Sequence, residues 1–160
     1  MALPTAAQYA AAVAGLKAAA GATSDAGLPL RDLTAMAAAS GVWTLQASTA
    51  GNPLTALTAA VNKATIRAPF AVTVTAVKAS VLTAPTGSTI LVDINVAGAT
   101  ILSTKLMIDA SEFTSATAAT PYVLGTTAIA DDAEITVDLD QVGSSVAGAG
   151  LVVYIYWTRA

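Results

Sequence analysis

Residues 89–108 read TILVDINVAGATILSTKLMI, and this stretch decides the fold. Ile90, Val92, Ile94 and Val96 fall on one face of an extended chain, with Thr89, Asp93 and Asn95 on the other. Gly98 marks a tight turn, and residues 100–108 return with Leu102, Thr104, Leu106 and Ile108 in phase. A period of two on both sides of a short glycine turn predicts an antiparallel hairpin.

The same period extends in both directions. Residues 70–82 (FAVTVTAVKASVL) alternate through Val72 and Val74, then shift phase to Val77, Ala79 and Val81, as a β-bulge or a strand changing sheets would require. Pro85-Thr86-Gly87 supplies a turn, and residues 109–120 (DASEFTSATAAT) read as a polar loop. Tyr122 and Val123 open another strand, Asp131-Asp132 turns the chain, and Ile135, Val137 and Leu139 alternate with Thr136, Asp138 and Asp140. The closing LVVYIYWTR, 151–159, is apolar in both phases, which predicts a central strand or one pressed against a neighbouring subunit. Many short strands separated by turn signals predict a mainly β fold, an antiparallel β-sandwich or jelly-roll-like domain over 64–160.

Towards the N-terminus the punctuation turns helical, and residues 1–63 read as a short Ala-rich helical region. Thr5 and Gln8 form a capping box, and Tyr9, Val13 and Leu16 make a thin stripe that ends before Gly21. A second short helix is expected over 30–39, and a third from Asn52-Pro53, with Leu54, Leu57 and Val61 at helical spacing. Residues 42–48 (VWTLQAS) read as a short strand between them, with Trp43 and Leu45 in phase. The N-terminus is not expected to be a signal peptide, since it has no basic region and Gln8 and Lys17 interrupt its apolar stretch.

Composition excludes much chemistry. The chain has 160 residues, no cysteine and no histidine, which removes Ser-His-Asp and Cys-His nucleophiles and most zinc sites. The seven lysines and arginines are scattered and the net charge is −3, so nucleic acid is not an expected partner. No apolar run reaches the roughly 20 residues a bilayer demands. No catalytic, cofactor or metal residues are expected, and the chain does not read as an enzyme. Charged residues are only 11% of the chain against roughly 25% in an average soluble domain. That scarcity predicts a surface partly covered by partner chains, with the protein itself as first partner.

Two clusters are open to more than one reading. Asp131, Asp132, Asp138 and Asp140, with Asp93 and Asn95, could meet around calcium or supply a glycosidase pair, but a turn and a solvated strand face account for them more simply. Tyr154, Tyr156 and Trp157 are the interface or ligand candidates: exposed, they would stack a sugar; buried, they would line a core or subunit contact.

RAPF (67–70), APTGS (84–88), VDIN (92–95), ILSTKLMID (101–109) and AEITVDLDQVGS (133–144) carry a likeness. Residues 67–157 resemble a β-rich module of tailed-bacteriophage virion proteins: tail or neck fibres, head fibres, capsid decorations and receptor-binding tips. The resemblance implies a virion location, a homo-oligomer, commonly a trimer, and attachment to other virion proteins through residues 1–63. It also keeps open a host-surface glycan as ligand, and less readily a polysaccharide-degrading activity.

Overall fold

The computed structural model describes residues 40–47 and 54–160. The expected helices over 5–20 and 30–39 lie outside those residues. Gly41–Ala160 form one compact unit. Its strands are β1 (Ser40–Gln46), β2 (Ala60–Arg67), β3 (Val72–Ser80), β4 (Ile90–Val96), β5 (Ala99–Thr100), β6 (Leu102–Thr104), β7 (Leu106–Ile108), β8 (Val123–Leu124), β9 (Ala128–Ile129), β10 (Glu134–Gln141) and β11 (Val152–Arg159). One 3-10 turn, Ser115–Thr117, interrupts the long polar loop. Among the described residues there is no α-helix.

Three sheets result. One has the order β1-β11-β3-β9; a second runs β2-β10-β4-β5, with β7 also on β4; β6 and β8 form a two-stranded third. The ladders β2–β10, β10–β4, β4–β7, β11–β3 and β6–β8 are all antiparallel. The closing strand is therefore central, between β1 and β3, as its two apolar phases require.

The alternating residues become the core. Val72, Val74, Val77 and Ala79 of β3 and Val153 and Ile155 of β11 join Ile90, Val92 and Ile94 of β4 and Ile135, Val137 and Leu139 of β10 in one buried cluster. Each valine, leucine or isoleucine among them contributes about 1.5–3 kcal/mol on burial. The phase shift in β3 is a real bulge: Tyr156 faces Ala76 while Trp157 faces Val74, so Thr75 is the extra residue. The bulge keeps both halves of β3 facing the core.

At the hairpin turn Ala97 (φ 50°) and Gly98 (φ 81°) both have positive φ, as a tight two-residue turn demands. The returning arm differs from the expected single strand. It pairs with β4 only at Ala99–Thr100, leaves to pair Leu102 and Thr104 with β8, then rejoins β4 as β7. Consecutive burial of Ile101 and Leu102 breaks the alternation and drives that excursion.

The helix expected from Asn52-Pro53 through Val61 is not formed over its described part. Residues 54–59 run as a turn and bridged coil, Ala56 pairs with Ala149, and β2 begins at Ala60. Leu57 is buried, but Val61 is 70% exposed, so the i, i+3, i+7 stripe of Leu54, Leu57 and Val61 does not become one buried face. Capping signals are local and worth about 1 kcal/mol, and the ladder of β2 against β10 outweighs them. The change of period near Ala64 thus falls inside a strand.

Candidate functional site

The three aromatic candidates lie on one strand, but on opposite sides of its sheet. Side chains alternate along β11, so Trp157 turns inward while Tyr154 and Tyr156 turn outward and are half-buried. Trp157, 9% exposed, packs at 5.4 Å from Trp43 and edge-on at 5.0 Å to Phe70. Arg159 lies 4.6 Å over the other part of this cluster, the Phe70 ring. Such pairs contribute about 0.5–1.5 kcal/mol beyond their area. The cluster occupies Trp157 within the fold, so it offers no open face for a sugar. Its indole Nε1 is buried and finds no hydrogen-bond partner among the described residues.

Tyr154 and Tyr156 form the outward pair. Tyr156 has the Lys78 ammonium 5.7 Å from its ring centre, and Lys78 stands opposite Tyr154 in the β11–β3 ladder. A cation beside two half-exposed phenol rings makes a mixed polar and aromatic face, suited to contact with another surface.

The carboxylates divide as well. Asp131 and Asp132 form the turn before β10, where Arg67 Nη1 donates to Asp132 O at 2.8 Å and Arg67 Nη2 pairs with Glu134 at 3.8 Å. Asp93, Asp138 and Asp140 come together on adjacent strands, with Asp138 directly opposite Asp93. Each is satisfied by the protein. Asp138 accepts from the Asn62 N–H at 2.7 Å and from Asn95 Nδ2 at 3.0 Å. Asp93, only 6% exposed, accepts from the Thr100 hydroxyl and meets Lys105 Nζ at 3.1 Å. Lys105 also hydrogen-bonds Asp140. Thr136, in phase with Asp138 and Asp140 along β10, is buried.

Lys105 therefore supplies the positive charge between the Asp93 and Asp140 carboxylates. Its ammonium pKa is raised, first by the hydrogen bond to Asp140, against the lowering effect of burial, and then by Asp93. Among the described residues no group of three or more acidic side chains is arranged to hold a metal ion. The network does static work: it balances two carboxylates on a strand face. Lys105 and Thr100 escaped the reading of the sequence. The available signal was that three acids on one sheet face call for a cation, and Lys105 is the lysine on the neighbouring arm.

No helix among the described residues is long and apolar enough to cross a membrane. Comparison with family models, with curated proteins and with solved structures finds no match for the chain.

Proposed function

We propose that this chain is a structural component of a bacteriophage virion: an oligomeric appendage or capsid decoration, attached to the particle by its N-terminal residues. In this reading the two larger sheets pack face to face as a jelly-roll-like sandwich, which the mixing of β3, β4, β10 and β11 side chains in one core supports. The observation that carries it is a mainly β, antiparallel unit with sparse charge. Its assignment to virion β modules rests on the resemblance drawn from the sequence of residues 67–157, from RAPF at 67–70 to AEITVDLDQVGS at 133–144. Two facts support a non-enzymatic role. Charge is sparse, and the acidic groups that come together are held by Lys105, Asn95 and the Asn62 N–H rather than left poised for chemistry.

Immunogold labelling of purified phage particles with antibody against this chain tests the reading. Label at discrete positions on the head, neck or tail is expected. Protein abundant in the lysate but missing from particles would overturn it.

A second reading, recognition of host-surface glycan, is favoured by the outward Tyr154, Tyr156 and Lys78. Glycan-array binding lost in Tyr156→Ala with an unchanged melting temperature would support it. Trp157→Ala is unsuitable for that test, because Trp157 belongs to the core.

A further inference from the structure

Sheet edges are templates for pairing with another chain, and native proteins cover, kink or charge them. This unit treats its edges unequally. Beyond the short β9, the outer edge of β3 is capped one amide at a time. The Val74 N–H donates to Thr127 O, Val77 to the Tyr122 hydroxyl, Ala79 to Ser115 Oγ and Val81 to Phe113 O. The outer edge of β4 is taken by β5 and β7. On β2, the other outer strand, Asn62 (φ 53°) bulges out of register and Lys63 and Arg67 add charge.

Among the described residues β1 shows none of these devices. Its sequence, SGVWTLQ, holds no charge and no proline, and no described strand pairs with its outer side. The Ala47 N–H donates to Leu151 O, and a Cβ on Gly41 would meet the Trp157 ring; both fit one antiparallel register with β11. Backbone direction alternates along a strand, so Val42, Thr44 and Gln46 direct their N–H and C=O groups outward. Their side chains are exposed, Val42 by 46%, on the face that carries Tyr154 and Tyr156.

We propose that β1 pairs with the β1 of a second copy, antiparallel about a two-fold axis at Thr44, joining two sheets into one. In that register Thr44 meets its own counterpart, and Val42 meets Gln46 of the other copy. These three facing pairs form about six backbone hydrogen bonds. A second copy fits this edge because self-pairing opposes no like charges and sets Thr against Thr, a favourable cross-strand pair. The same operation on β2 would bring lysine and arginine side chains of two copies together across a bulge. Self-association through β1 is isologous, so it closes as a dimer and does not propagate along the edge. It also places Tyr154 of both copies one strand from the axis. This deepens the oligomeric part of the proposed function and is independent of where on a particle the chain resides.

The absence of cysteine from the chain makes the test clean. Facing Cα atoms in a hydrogen-bonded pair stand about 5.5 Å apart, within disulfide reach. Full-length Thr44→Cys is expected to cross-link to a dimer under mild oxidation at least tenfold faster than Ser103→Cys, an exposed control. Thr44→Lys is expected to abolish the dimer seen by sedimentation velocity across the micromolar range while keeping the wild-type melting temperature. Cross-linking no faster than the control overturns the proposal. So does an oligomer, trimer included, that Thr44→Lys leaves intact, although the oligomeric reading would then survive. A wild-type monomer at every concentration overturns both, whatever the immunogold result.

Discussion

Lys105 reaches across from the returning arm of the hairpin to the buried carboxylate of Asp93 at 3.1 Å and holds Asp140 with the same ammonium. Asp93 is the dependent member of this pair. It is buried and has two hydrogen-bond donors, Thr100 and the Ile94 N–H, that would lose their acceptor with it. Asp93→Ala is expected to cost about 2 kcal/mol in urea unfolding, in the range for hydrogen bonds to charged groups. Asp140→Ala removes a more exposed partner and is expected to cost less than about 1 kcal/mol. The reverse order would show that Asp140, and not Asp93, anchors the lysine.

The same lysine gives the unit an alkaline weakness. Its pKa is raised in the folded state above 10.5, chiefly by the Asp140 hydrogen bond. A raised folded value means the native state binds the proton more tightly than the unfolded chain. The contribution is therefore fully present below pH 10.5 and is lost as pH rises through the folded value. The difference in melting temperature between wild type and Lys105→Met is expected to stay constant from neutral to mildly alkaline pH, then to shrink. A difference that grows in alkali would contradict the ion pair.

Gly41 lies against Trp157 with no room for a side chain: an added Cβ would stand 2.5 Å from Cζ2 of the ring. Gly41→Ala is expected to destabilise by about 1–3 kcal/mol, the cost of overpacking. The chain has two tryptophans, Trp43 and Trp157, and they contact each other. Their emission should shift to the red in the variant as β1 loosens. Unchanged stability and emission would mean that β1 does not seat on Trp157 as described.

Trp157 carries a buried donor with no described acceptor, a cost of about 1–3 kcal/mol that Phe would not incur. Trp157→Phe is expected to lie within about 1.5 kcal/mol of wild type, while Trp157→Ala should lose about 3–5 kcal/mol. Thermal melts of both variants separate packing from hydrogen bonding at this position.

Ala97 adopts φ 50° in the turn before Gly98, where a Cβ is unwelcome and asparagine is tolerated. Ala97→Asn creates the favoured Asn-Gly pair and is expected to stabilise by about 0.5–1 kcal/mol. Calorimetry would register this as a raised melting temperature with the fold unchanged.

By itself the sequence determined the β character, the core faces of β3, β4 and β10, the phase shift in β3 and the turn at Gly98. All of these follow from a period of two, which a strand must obey wherever it is placed. Only tertiary structure could decide the rest. The Asn52-Pro53 capping signal carries little energy beside a ladder to a strand far along the chain, so bridged coil and the start of β2 form where a helix was expected. Tyr156 and Trp157 are neighbours in sequence, and alternation alone sends them to opposite faces; which face was core depended on Trp43 and Phe70 arriving from elsewhere. Lys105 met Asp93 and Asp140 because the returning arm and β10 flank β4 on opposite sides. That no described strand covers the outer side of β1, too, is visible only beside the capped edge of β3 and the kinked, charged edge of β2.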